Sequence, residues 1–222
     1  MESANLDLVR VIMIIPLILS LSVHEFAHAW SAYMLGDDTA ARQGRLTLNP
    51  VPHIDPIGTL LLPLVFLLSG SPISFGWAKP VPVNPAGFRR NVSMSTGMML
   101  TAAAGPISNV VLAILSTVAY GLLARWNHDW LLANAGVSSL LLQMIGLNVG
   151  LALFNALPVP PLDGSRVVEG LLPYRLRDQW ANIQRYAPIA LIFVMFYGGR
   201  LIAGPSRYVL GLLGNLLQSI VA

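Results

Sequence analysis

Long apolar runs dominate the chain, and they predict helices that cross a membrane. Four runs are close to the roughly 20 residues that a spanning helix needs: residues 11–34, 97–123, 137–157 and 187–203. A fifth run, residues 208–222, is shorter and fits either a crossing or a position at the interface. The pattern therefore predicts an all-α polytopic membrane protein.

Two shorter stretches break this pattern. Residues 57–68 (IGTLLLPLVFLL) are apolar, but they include Pro63 and fall short of the hydrocarbon thickness at about 1.5 Å per residue. This favours a re-entrant or interfacial segment and brings the expected total to about four to six membrane segments. Residues 75–83 (FGWAKPVPV) have too many prolines for a helix, so they predict a short extended or β element.

Composition agrees with a membrane location. The chain is 55% hydrophobic and 10% charged, whereas soluble domains average about 25% charged residues. Its 13 Lys and Arg residues lie singly or in pairs, without the basic stripe of a nucleic-acid-binding surface. With no cysteine in the chain, disulfides and thiolate ligands are excluded, and any metal must be bound by His, Asp or Glu.

The distribution of basic residues predicts the orientation. If residues 57–68 do not cross, nine Lys and Arg residues fall on one side and four on the other. If residues 57–68 do cross, eight Lys and Arg residues fall on one side and five on the other. Because cytoplasmic loops are enriched in Lys and Arg, we expect residues 33–95 and 158–186 to face the cytoplasm, in a multi-pass protein of the cytoplasmic membrane.

The first apolar run contains the sequence His24-Glu25-Phe26-Ala27-His28, an H-E-x-x-H pattern. On a helix, the two imidazoles of this pattern lie on one face, where they can bind one metal ion with the glutamate beside them. The alternative is a polar patch whose histidines bond to neighbouring groups. Ionisable side chains inside spanning segments are costly and usually functional, which favours the metal site.

A third protein ligand has to come from elsewhere in the chain. Asp163 is the best candidate, because it lies near the end of a proline-rich stretch, residues 155–164 (NALPVPPLDG), where the apolar run 137–157 stops. The alternative is that Asp163 forms an Asx-turn or caps a helix beginning near Ser165. From the residues alone, both interpretations stay open.

These motifs together resemble the site-2 protease family of intramembrane zinc metalloproteases. The H-E-x-x-H helix, the AGPISN sequence at 104–109 and the stretch at 155–164 occur in the order typical of that family, and the resemblance extends over about residues 20–170. Residues 44–50, 53–58 and 76–85 look like the compact prokaryotic branch without PDZ or CBS domains. A single protease domain over residues 1–222 is implied, with a core at about 8–172 and C-terminal helices at 187–222.

The resemblance also implies roles for individual residues. His24, His28 and Asp163 would bind one Zn²⁺, Glu25 would be the general base, and Asn155 would orient the substrate or stabilise the oxyanion. For Gly105 and Asn109 it implies either helix packing or catalysis. Residues 76–83 would pair with the substrate as a strand. His53 would either approach the site or anchor at the membrane interface, and we favour the anchor.

The expected function is therefore a zinc endopeptidase that hydrolyses membrane proteins within or near the bilayer, with its active site toward the cytoplasmic side. Its partners would be transmembrane substrates and lipid, with no nucleic acid, and the sequence leaves the oligomeric state open. The alternative is a membrane metal-ion transporter or binding protein that uses the same His and Asp cluster. Transport favours ionisable residues at several depths, whereas here they concentrate at one level. A catalytically silent relative would not need Glu25.

Overall fold

The computed structural model describes residues 14–68 and 76–222, and within these ranges the chain is helical and contains no β-strand. The helices are α1 (Ile14–Leu35), α2 (Thr39–Arg42), α3 (Leu62–Leu68), α4 (Met94–Trp126), α5 (His128–Ala133), α6 (Ala135–Asn155), α7 (Asp163–Leu171), α8 (Tyr174–Gln184) and α9 (Ala187–Val221). Short 3₁₀ turns lie at Val51–His53 and Pro85–Gly87, and a π-helical turn at Pro56–Leu61 leads into α3.

Three of these helices, α4, α6 and α9, are long and apolar enough to cross a membrane. Together with the composition, this confirms an all-α membrane protein. The C-terminal prediction was wrong in one respect, because the runs at 187–203 and 208–222 form one continuous helix of 35 residues that includes Pro205. The total of four to six membrane segments stays a prediction.

Helix α4 is the centre of the bundle and packs against α1, α6, α7 and α9. Its buried face is rich in small residues, which allow close approach of neighbouring helices. A Cβ on Gly97 would lie 2.3 Å from the Phe88 ring, and one on Gly121 would lie 3.0 Å from Ile220 of α9. The small residues of α4 therefore set how closely the other helices surround it.

The short apolar segment begins at a well-defined cap. Asp55 Oδ1 accepts hydrogen bonds from the backbone N–H groups of Ile57 and Gly58, and Pro56 occupies the first helical position, where its missing N–H costs nothing. The apolar helix from Pro56 to Phe66 is shorter than the spanning helices. Its length agrees with the expected short segment, and its re-entrant course stays a prediction.

A short extended or β element was predicted at residues 75–83. Residues 76–83 form no β-strand, which corrects the β part of that prediction, and residue 75 lies outside the described ranges. The segment is instead bonded to short helical turns: Trp77 N–H donates to Gly58 O at 3.2 Å, and Lys79 N–H donates to His53 O at 2.9 Å. Pro80 and Pro82 have no N–H to donate, which works against a regular ladder. The segment is thus a single strip fixed at alternate residues.

Candidate metal centre

Helix α1 brings the two predicted histidine ligands together. His24 and His28 lie one turn apart, and their Nε2 atoms are 3.0 Å from each other. The rings meet edge to face, with centroids 4.6 Å apart. Both side chains therefore present the same nitrogen to one point beside the helix.

Asp163, the first residue of α7, completes the group. Its Oδ2 lies 3.1 Å from His24 Nε2 and 3.4 Å from His28 Nε2. In tetrahedral zinc sites, bonds of about 2.0–2.1 Å place neighbouring ligand atoms about 3.3 Å apart. The triangle of two imidazole nitrogens and one carboxylate oxygen therefore fits a zinc ion.

The charge state of Asp163 also suits a cation. Burial by itself would raise the pKa of this carboxyl, but the adjacent His24 and His28 side chains outweigh burial and lower that pKa well below its ordinary range. Zinc binds the deprotonated carboxylate. The position of Asp163 thus keeps it in the form that a metal requires.

Hydrogen bonds to α4 fix both imidazoles. His24 Nδ1 lies 2.6 Å from Asn109 Oδ1, and His28 Nδ1 lies 2.7 Å from the backbone oxygen of Thr101. Because both partners are acceptors, each ring has its proton on Nδ1 and leaves the Nε2 lone pair for a metal. Sequence reasoning placed Asn109 near the site without identifying this contact.

Gly105 gives the two rings room against α4. A Cβ at this position would lie 2.5 Å from Nε2 and Cε1 of His28 and 2.6 Å from Cε1 of His24. Real Cβ atoms do not approach other atoms so closely. The glycine of the AGPISN sequence therefore lies directly behind the metal-binding atoms.

The turn that ends α6 places Asp163 through its backbone. A Cβ on Gly164 would lie 2.2 Å from Ala156 O, so the two chain segments touch without an intervening side chain. Leu162 O accepts from both the N–H and the hydroxyl of Ser165. Leu162 is the N-cap residue of α7, so the interpretation of Asp163 as a helix cap was wrong.

A cavity of about 1140 Å³ opens beside this triangle. Its walls come from α1, α4, α6, α9 and the segment 76–83, and they are mostly apolar. The two predicted catalytic residues both line it: Glu25 Oε2 accepts from the Val81 N–H at 2.9 Å, and Asn155 Nδ2 donates to Leu151 O at 3.0 Å. All five predicted site residues thus face one cavity.

His53 lies apart from this group. Its side chain is 2% exposed, and its Nε2 is 2.8 Å from Thr47 O. It therefore stabilises its own loop, and the favoured interpretation as an interfacial anchor was wrong. Asn148, which contacts Asn109, was missed altogether. An asparagine seven residues before Asn155, on the same face of an apolar helix, was the available signal.

Comparison with known proteins points to one protein family. Residues 125–196 match the family model described as peptidase family M50, a stretch that includes Asn155 and Asp163. "Putative zinc metalloprotease YwhC" of Bacillus subtilis (strain 168) is 41% identical over 181 residues, which cover 81% of this chain and 78% of the relative.

Two mycobacterial relatives are each named "Putative zinc metalloprotease Rip2". The Mycolicibacterium smegmatis protein is 31% identical over 72% of this chain and 57% of its own length. The Mycobacterium tuberculosis H37Rv protein is 33% identical over 83% of this chain and 66% of its own length. No solved structure matches the chain significantly. With 41% identity over most of both sequences to YwhC, the chain belongs to peptidase family M50, the site-2 protease family, and is a zinc metalloprotease.

Proposed function

We propose that this metalloprotease is an intramembrane endopeptidase, which hydrolyses peptide bonds of membrane proteins within or near the bilayer. One observation supports this most directly: the His24, His28 and Asp163 triangle lies on a mostly apolar cavity between helices long enough to span a membrane. An apolar wall suits substrate segments that come from lipid.

In this proposal His24, His28 and Asp163 bind one Zn²⁺. When bound, the zinc supplies a Lewis acid and lowers the pKa of a water molecule toward neutrality. Glu25 takes the proton from the attacking water and returns it to the leaving amine. The Asn155 amide donates to the scissile carbonyl oxygen as negative charge develops there.

The Glu25 carboxylate is positioned for this task. It is 9% exposed, it lines the cavity, and its contact with the Val81 N–H restrains one carboxylate oxygen. Among the described residues, the hydrogen bond to this carboxylate is made at Oε2, so we assign proton transfer to Oε1. A base of this kind typically contributes about 10²–10⁴-fold to rate.

We propose that substrate lies along residues 76–83 in an extended conformation. A transmembrane helix must open before hydrolysis, because its carbonyl groups are hydrogen-bonded within the helix. The segment lines the cavity and is already fixed on one side, where the backbone groups of Trp77 and Lys79 bond to neighbouring turns. We propose that an opened chain pairs along the other side of this strip, mainly through backbone carbonyl groups, because Pro80 and Pro82 have no N–H to donate.

The proposed topology places this single-domain protein in the cytoplasmic membrane, with residues 57–68 re-entrant and the active site toward the cytoplasm. The distribution of Lys and Arg supports this orientation. The transport alternative is not favoured, because the potential metal ligands among the described residues form one cluster rather than a series of sites along a pathway.

Glu25→Gln tests the mechanism. The amide keeps the shape of the side chain but cannot accept a proton, so we expect cleavage to fall by about 10²–10⁴-fold with one zinc per chain still bound. Cleavage is measured on a reporter membrane protein in proteoliposomes, and zinc by mass spectrometry.

The matched control is Glu169→Gln on α7, whose carboxylate accepts from Gln184 and does not line the cavity. This variant should cleave at the wild-type rate. If zinc-loaded Glu25→Gln also cleaves at the wild-type rate, Glu25 is not the base.

A further inference from the structure

A row of buried polar side chains lies behind His24, outside the cavity lining. Ser20 of α1, Asn109 of α4 and Asn148 of α6 are each 0% exposed, and none of the three lines the cavity. Because buried amides and hydroxyls are costly unless hydrogen-bonded, a group of three inside an apolar bundle requires a physical explanation. Contact with substrate does not explain this group, because the three side chains lie outside the cavity lining.

We propose that Asn148, supported by Ser20, acts through Asn109 as a positioning residue that fixes the protonation of His24. This inference rests on the proposed zinc site, since its effect is on the nitrogen that faces the metal. The amide of Asn148 bridges α6 to both α1 and α4, so it also ties together the helices that surround the metal centre.

The hydrogen bonds have only one consistent direction. The backbone oxygen of Met144 is an acceptor, so Asn148 must turn its Nδ2 toward it, at 2.8 Å. The Oδ1 of Asn148 then faces Asn109, where it accepts from Asn109 Nδ2 at 2.7 Å. That orientation directs Asn109 Oδ1 at His24 Nδ1, at 2.6 Å.

His24 must therefore donate from Nδ1 and leave Nε2 as the lone-pair nitrogen. Ser20 completes the arrangement, because its hydroxyl accepts from Asn148 Nδ2 at 2.8 Å and donates to Met144 Sδ at 3.7 Å. Without Asn148, the Asn109 amide would have only a longer contact, 3.5 Å to Ser20 O, to set its orientation. A reversed amide would present N–H groups to His24 Nδ1 and favour the tautomer that cannot bind through Nε2.

Substitution of Asn148 separates this role from simple packing. Asn148→Leu removes the acceptor, and we expect zinc affinity to fall about tenfold, the lower end of the range for partners of metal ligands. Asn148→Asp should remain near wild type, because a carboxyl in a dry site is protonated and offers both a carbonyl acceptor to Asn109 and a hydroxyl donor to Met144.

Zinc affinity is measured on the purified full chain in detergent by competition with a chromophoric chelator, and thermal unfolding of the zinc-free variants reports on the fold. The matched control is Thr117→Val, which removes another buried hydrogen bond of α4, that to Ala113 O, without any link to His24. This control should bind zinc like wild type. Equal losses in Asn148→Leu and Asn148→Asp would overturn the proposal.

A double-mutant cycle gives the decisive readout. In an Asn109→Ala background, Asn148→Leu should have no further effect on zinc affinity, because the connection to His24 is already absent. Additive losses would show that Asn148 acts by another route. His24→Ala tests the underlying site. If this variant binds zinc as tightly as wild type, the proposed ligand set is wrong. If His24→Ala loses zinc but Asn148→Leu binds it like wild type, only the positioning role of Asn148 is wrong.

Discussion

The histidine half and the aspartate half of the candidate metal centre are positioned in different ways. His24 and His28 are held by hydrogen bonds from their Nδ1 atoms to acceptors on α4. Asp163 receives its position from the backbone, because Gly164 lies against Ala156 O at the end of α6. One half depends on side-chain hydrogen bonds and the other on contact between two stretches of main chain.

This difference teaches which substitutions each half tolerates. A hydrogen-bonded ring can rotate or shift by a few tenths of an ångström when a neighbour changes, at a modest cost in affinity. Two backbone segments in contact have no such freedom, since neither can move without displacing a helix. We therefore expect the aspartate half to be the more sensitive to added volume.

Gly164→Ala should have the largest effect. Its Cβ would lie 2.2 Å from Ala156 O and 2.5 Å from Leu157 O, so the turn must open and carry Asp163 away from the histidines. We expect loss of stoichiometric zinc and a fall in the free energy of unfolding of roughly 4 kcal/mol, in the exceptional class for single substitutions. Zinc analysis and thermal unfolding in detergent measure both. Wild-type zinc content in this variant would contradict the backbone account.

Gly105→Ala should have an intermediate effect. The added methyl would lie against ring atoms of both His24 and His28, which are side chains that can shift, so we expect zinc affinity to fall by about 10–100-fold. Chelator competition measures the loss.

The matched control for this substitution is Gly211→Ala on α9, where a Cβ would have no neighbour within 4 Å. In an exposed helix interior, alanine stabilises by about 0.8–1.0 kcal/mol relative to glycine, and zinc affinity should not change. If Gly105→Ala behaves like this control, the rings do not need the space that the glycine leaves.

Asn155→Ala should have the smallest effect on the metal and a clear effect on catalysis. Asn155 lines the cavity but is not among the residues that contact the ligand nitrogens, so zinc affinity should equal that of wild type. Loss of an oxyanion donor typically costs about 10²–10³ in kcat, which the proteoliposome cleavage assay would detect. If Asn155→Ala loses zinc instead, Asn155 supports the metal site and the proposed contact with the substrate is wrong.

Much of the candidate site could be predicted from the sequence, because its ligands lie in short local motifs. The spacing of His24 and His28 is a property of any helix, and Asp163 lies in a short proline-rich motif. The contacts of Asn109 and Asn148 could not be predicted, since they join residues 85, 39 and 128 positions apart. No local pattern encodes such pairs.

Two of the predictions that the structure corrected share a physical cause. Residues 76–83 have the composition of an edge strand, but Pro80 and Pro82 have no N–H for a strand ladder. The backbone N–H groups of Trp77 and Lys79 bond to nearby turns instead. The C-terminal runs 187–203 and 208–222 were predicted separately, yet α9 continues through Pro205 between them, as helices in membrane proteins can when other groups satisfy the freed carbonyl. In both places tertiary surroundings decided the outcome against local propensity.

The sequence by itself determined that this protein belongs in a membrane, that His24, His28 and an acidic partner are its candidate metal ligands, and that cysteine takes no part. These conclusions follow from composition and helical periodicity, which are local properties. Only the tertiary structure decided that the Nε2 atoms meet Asp163 Oδ2 within 3.1–3.4 Å and that His24 Nδ1 meets the buried amide of Asn109. Those distances depend on how closely α1, α4 and α6 pack, and side-chain volumes across three helices fix that packing together.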